Sequence, residues 1–173
     1  MKKSLFAVAV LSSVAAAPAV SAADGTINFV GEITDVACTV DTNSQNLTVT
    51  LGRVASTAFT GAGSTAAPTQ FQLILSDCPV SANSAVVKFD GTSVEGDNSM
   101  LALATGGDAA TGVAIQLTDA SQQIVKLYEN SARYDLLPDV DNNLDFIARY
   151  KAISDTVTAG VANATTQFTI IYQ

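Results

Sequence analysis

Hydrophobic and polar residues alternate along most of this chain, with the two-residue period of a sheet instead of the 3.6-residue period of a helix. The alternation is clearest in NLTVTLGRV (46–54), TQFQLILSD (69–77), AVVKFDG (85–91), GVAIQLTDA (112–120), LDFIARYKA (144–152) and TTQFTIIYQ (165–173). Each stretch is rich in β-branched or aromatic residues, and Gly, Asn, Asp and Ser fill the intervals. The pattern predicts an all-β domain, and short strands at turn-punctuated spacing favour a sandwich over a helical or α/β architecture. ASTAFTGAGSTAAPT (55–69) reads as a long loop, because too little chain precedes it to make another domain. MLALATGGDAATG (100–112) has room for a helical turn, but its glycines argue against a long helix.

The two ends of the pattern are unusual. In GTINFVGEI (25–33), one face carries Gly25, Ile27, Phe29, Gly31 and Ile33, so a half-buried strand is expected with glycine, a poor strand former, at two positions of its apolar face. In TTQFTIIYQ, Thr166, Phe168, Ile170 and Tyr172 share a face, and the last strand runs apolar almost to the carboxylate. Chain ends fray unless something ties them down. Both of these ends read as strands that want a neighbour.

What precedes residue 23 sets the compartment. Lys2 and Lys3 lead into the apolar run SLFAVAVLSSVAAAPAV and then the small residues VSA, the pattern of a secretory signal peptide cleaved after Ala22. Ser12, Ser13 and Pro18 interrupt the run, which is short for a bilayer span, and no later segment is long and apolar enough for one. An exported chain of 151 residues is expected, a length suited to one domain with a sizeable core. Without Lys2 and Lys3 it carries 6 basic against 16 acidic residues, a net charge of −10, which disfavours nucleic acid as a partner. The acids are scattered singly, as on a solvated surface that repels its own kind.

Candidate chemistry is sparse. The sequence has no His and no Trp, so neither a Ser-His-Asp nor a Cys-His arrangement is available, and no glycine-rich phosphate loop follows a strand and opens a helix. The two cysteines, Cys38 and Cys78, are expected to pair, given an exporting compartment and an even count; a metal site or a catalytic thiol would need ligands or a base that are absent. Asp139, Asp141, Asn143 and Asp145 imitate a calcium loop, but Leu144 stands where the turn glycine belongs and Tyr150 where the bidentate Glu belongs, so a solvated turn is expected and no metal or cofactor. An exported β-sandwich enzyme or inhibitor would need a reactive constellation that is not visible.

The segments GTINFVGEITDVACTV, FQLILSDC, FIARY and the terminal FTIIYQ, with its next-to-last tyrosine, together resemble type 1-like fimbrial (pilus) subunits of the chaperone-usher pathway of Gram-negative bacteria, of the major-pilin type. The resemblance covers essentially the whole exported chain. It implies an incomplete immunoglobulin-like β-sandwich that lacks its last strand and is completed by a donor strand from a neighbouring subunit. The implied organisation is a signal peptide (1–22), an N-terminal donor-strand extension (23–33) and a pilin domain (34–173). By position, Ile27, Phe29 and Ile33 would fill the neighbour's groove, Gly31 would face its shallow part, and Gly25, near the free end, would leave its pocket partly occupied. Phe168, Ile170 and Tyr172 would form the acceptor strand, which a periplasmic pilus chaperone completes with its own strand while its basic residues hold the carboxylate of Gln173. An outer-membrane usher and neighbouring copies of the same chain are the other implied partners. The implied product is a structural subunit of an adhesive surface fimbria, with a minor or adaptor subunit as the alternative. A tip adhesin would carry an extra lectin-like domain, for which 151 residues leave no room.

Overall fold

The computed structural model describes residues 25–31, 33 and 37–173, in two units that divide between Ile33 and Thr34. The expected signal peptide, with Ala23 and Asp24, lies outside the described residues.

In the larger unit nine strands build two sheets. The first has six strands in the order β1 (Thr39–Val40), β2 (Thr65–Ser76), β8 (Asn142–Ala152), β6 (Val113–Asp119), β5 (Asp97–Leu101) and β4 (Ser93–Val94). The second has three, β7 (Tyr134–Asp135), β3 (Ser84–Gly91) and β9 (Thr166–Tyr172). Every ladder is antiparallel. One α-helical turn, α1 (Thr42–Gln45), is capped by the Asp41 carboxylate, which accepts from the Asn43 N–H. The all-β sandwich is the architecture that the alternation predicts.

The alternation also locates the core. In β8 the even-numbered residues Asn142, Leu144, Phe146, Ala148, Tyr150 and Ala152 are buried, and the odd-numbered ones face outward. Phe146 is the centre: its ring meets Phe89 of β3 edge-on at 5.1 Å, and Phe71 and Tyr134 at 5.6 Å each, so one side chain ties the two sheets together. β6, which lies between β8 and β5, is buried along its whole length.

Five of the six long stretches form strands, and two expectations need correction. NLTVTLGRV is not a strand: Leu47–Ala55 enters no ladder, although Val49, Leu51 and Val54 are half-buried against the core. Alternation reports that one face is covered, and here packing covers it without a backbone partner. The expected loop 55–69 is shorter than its composition suggests, a single 3-10 turn (Ser56–Ala58) and a tight bend, because Thr65 and Ala66 already pair with Lys151 and Tyr150. The Ala67–Pro68 step that looks like loop is a bulge in β2, with Ala67 at φ +51°, which accommodates a residue with no N–H to give. No helix forms in 100–112, where Met100 and Leu101 end β5. The turn rich in Asp and Asn leaves Asp139, Asp141 and Asn143 exposed, while Asp145 accepts from Gln72 at 2.7 Å.

Cys38 and Cys78 form a disulfide that closes 40 residues, as expected. The β1–β2 ladder, with Thr39 opposite Ser76, brings the two thiols together. Replacing both cysteines by alanine should lower the unfolding free energy by about 4 kcal/mol, read by urea denaturation of the purified subunit, and an unchanged midpoint would contradict the bridge's stabilising role. A second expectation concerns alkaline pH. Burial, aided by the carboxylates of Asp119 and Asp145, pushes the Tyr134 phenol up to about 12. The folded state therefore holds this proton more tightly than the unfolded chain, so the stabilisation is complete below about pH 10 and is lost as pH rises towards 12. Tyr134→Phe should flatten that decline; an equally steep decline in the variant would assign it to other groups.

Candidate assembly interface

Two stretches pack on the core without a full set of ladder partners among the described residues, β9 and the segment Leu47–Ala55. β9 is the last strand of the smaller sheet and, among the described residues, has β3 as its one ladder neighbour. The register fixes which backbone groups it leaves free. The Gln173 N–H donates to the Ser84 carbonyl at 2.9 Å, and Ile171, Thr169 and Gln167 stand opposite Val86, Lys88 and Asp90. These odd-numbered residues therefore bond to β3, and Phe168, Ile170 and Tyr172 turn their N–H and C=O groups away from it. The opposite edge of β3 is covered, since Tyr128 and Ser131 donate their N–H groups to the carbonyls of Phe89 and Val87. The smaller sheet is thus capped on one side and open on the other.

The side chains of Phe168, Ile170 and Tyr172 are half-buried against the core cluster, as are Val49, Leu51 and Val54 of the unpaired segment and Phe59 just beyond it. At one end the Tyr172 hydroxyl accepts from the Cys38 N–H (3.1 Å) and donates to the Cys38 carbonyl (3.3 Å), so a side chain bridges the root of β1 to the end of β9. Burial raises the Tyr172 phenol above its ordinary range, against the lowering effect of the Cys38 bond. At the other end lies a cleft of about 700 Å³, lined by Val54, Phe59, Tyr150, Val157 and Ala162. The half-buried apolar side chains of β9 and of 47–54 pack on one core cluster and form an apolar seam, with the free backbone groups of β9 along it.

The smaller unit contains the opening stretch. Gly25–Gly31 forms no strand within this chain, and Ile27, Phe29 and Ile33 are 79–99 % exposed. A strand requires a ladder partner, and alternation alone does not supply one. A Cβ added at Gly25 or Gly31 meets nothing within 4 Å among the described residues. Gln173 lies beside Ser84, whose hydroxyl donates to the Gln173 carbonyl at 3.3 Å.

Sequence reasoning selected the inward-facing residues of β9 but missed what surrounds them. The Tyr172–Cys38 bridge spans 134 residues and leaves no local pattern. The cleft draws on four separate segments, and only the alternation of Val49, Leu51 and Val54 hinted at the second lip. Among the described residues no group of three or more acids or cysteines could hold a metal ion, and no helix is long and apolar enough to cross a membrane.

Comparison with known proteins assigns the class. The model of the family described as "Fimbrial protein" matches residues 27–173, and the chain belongs to that family. It is 37% identical to the long polar fimbria protein A of Salmonella typhimurium, over 100% of this chain and 98% of that one. It is 36% identical to the type-1 fimbrial protein subunit of Serratia marcescens, over the whole of both. Among solved structures, a chaperone-usher pilus studied for rod uncoiling superposes with a TM-score of 0.67 at 25% identity, covering 91% of this chain and 100% of that one. The type I fimbria protein of Burkholderia pseudomallei superposes with a TM-score of 0.61 at 37% identity, covering 80% and 91%. The relatives are structural fimbrial subunits, not enzymes, and this chain is a structural pilus subunit of the kind that builds surface appendages.

The Tyr172 bridge generates a prediction of its own. Tyr172→Phe keeps the ring and removes both bonds to Cys38, one of them from a part-buried N–H. The cost should be about 1 kcal/mol of unfolding free energy, checked by denaturant titration. A variant as stable as the parent would show that the hydroxyl contributes nothing net.

Proposed function

We propose that this subunit polymerises by donor-strand exchange. Residues 25–33 of one copy fill the seam beside β9 of the next, after a periplasmic chaperone has held the same seam and an outer-membrane usher has taken over the complex. The observation that carries this reading is the open edge of β9, whose free backbone groups belong to the same residues that turn Phe168, Ile170 and Tyr172 inward. Strand addition joins the two: ladder bonds supply general affinity, and alternate side chains in pockets set the register.

The arm has the matching chemistry. Ile27, Phe29 and Ile33 share a face and are exposed, and burying each contributes about 1.5–3 kcal/mol before any ladder bond. Because every ladder in the domain is antiparallel, the arm lies antiparallel to β9. That orientation puts Gly25 near Tyr172 and Ile33 near Thr166, where the cleft has room for a side chain. Gly31 faces the shallow part of the seam and Gly25 its closed end. One chain carries both a donor and an acceptor, which allows a homopolymer; the share of this polypeptide in sheared fimbriae separates a shaft subunit from an adaptor. Before polymerisation, basic chaperone residues hold the Gln173 carboxylate. Dissociation re-exposes both seam and arm, so the fibre is held by a high barrier.

The test is exchange in vitro from purified chaperone-bound subunit, followed as SDS-resistant multimers on unheated gels. Deleting residues 23–33 should leave folding and chaperone binding intact and abolish multimers. Gly31→Leu should slow multimer formation at least about fivefold, since overpacking costs roughly 1–3 kcal/mol, even though leucine is the better strand former. Wild-type rates for Gly31→Leu would overturn the register, and multimers without the arm would overturn the mechanism. Phe168→Asp places an unpaired charge in the seam and should reduce co-purification with the chaperone; unchanged recovery would count against β9 as the shared site.

A further inference from the structure

A cluster of exposed apolar side chains lies at the disulfide end of the domain. Val80, Leu137 and Val140 are 78%, 63% and 48% exposed, on two turns that are pinned to each other. The Asp139 N–H donates to the Cys78 carbonyl at 3.4 Å, and the buried Asn142 amide donates to the carbonyls of Leu137 (2.9 Å) and Val140 (3.0 Å) and to Cys78 Sγ (3.4 Å). The Ala82 N–H closes the other turn on the Pro79 carbonyl at 2.9 Å. Exposed apolar side chains grouped in one place, unlike ones scattered singly, are candidates for an interaction surface.

We propose that this patch docks on a second copy of the chain, the neighbour that receives the arm, at the opposite end of that neighbour around its exposed Ile153 and Val161. The proposal rests on the donor-strand reading and on the length of the tether. An arm antiparallel to the neighbour's β9 leaves Ile33 at the neighbour's Thr166 end. Only residues 34–37 separate Ile33 from Cys38, and five Cα steps reach at most about 17 Å. Cys38 is bonded to Cys78, two residues before Val80, so the patch is confined to the neighbourhood of that end. There Ile153 follows the last residue of β8, and Val161 is fixed by bonds between its backbone and Asp108 and Ala110. β8 runs from Asn142, under the patch, to Tyr150, in the cleft, so the two surfaces occupy opposite ends of one strand. Each subunit thus presents one surface up the fibre and the other down it.

The experiment incorporates benzoylphenylalanine at position 80, which is exposed and free of core contacts, in assembled and sheared fibres. Irradiation should link two copies, with the adduct mapped by mass spectrometry to residues 153–163 of the partner copy, and deletion of residues 23–33 should reduce the adduct at least tenfold. An adduct from position 80 to position 80, an adduct to the chaperone alone, or none in polymerised wild-type subunit would each overturn the docking. If SDS-resistant multimers persist without the arm, the donor-strand reading fails instead. Multimers that require the arm but yield no 80-to-153–163 adduct refute only the docking surface.

Discussion

An unpaired sheet edge beside an apolar seam is the constraint on which the rest of this molecule depends. β9 satisfies half of its backbone on β3 and leaves the other half, together with the inward side chains of Phe168, Ile170 and Tyr172, without a ladder partner among the described residues. An exposed edge of this kind is a standing invitation to another strand, and most folds blunt it with charge, proline or a bulge. β9 has no proline and no charged residue between Thr166 and Gln173. A strand left in that state is suited to assembly more than to solitary existence.

The remaining features follow from keeping the edge open but orderly. Phe146 holds the two sheets together from the centre, away from the seam at the margin. The Cys38–Cys78 bridge and the Tyr172 hydroxyl bind β1, β2 and β9 at one end of the seam, and the cleft beside Tyr150 leaves the other end accessible. This asymmetry gives the seam a direction, which a polymer built from identical head-to-tail contacts requires.

The fold was legible wherever alternation coincided with a ladder. β2, β3, β6, β8 and β9 each bury one face or both and were visible as periodic segments; β7, at two residues, was too short to show a period, and β5 (DNSML) carries no alternation. The segment 46–54 shows the limit of the signal, because Val49, Leu51 and Val54 alternate inward without any backbone pairing. The inward face of β9 was readable for the same local reason. Its bridge to Cys38 and the four-segment cleft were not, since contacts between residues distant in sequence leave no periodic trace. Gly25 and Gly31 were the most informative anomaly: they have no steric cause among the described residues, and the motifs around them resemble those of fimbrial subunits.

The most direct measurement is amide hydrogen exchange along β9. In subunits deleted for residues 23–33 and free of chaperone, the amides of Gln167, Thr169 and Ile171 should be protected by β3 while those of Phe168, Ile170 and Tyr172 exchange freely. In assembled fibres all six should be protected. Equal and rapid exchange of Phe168, Ile170 and Tyr172 in both states would contradict the account, because no strand would then be completing the sheet.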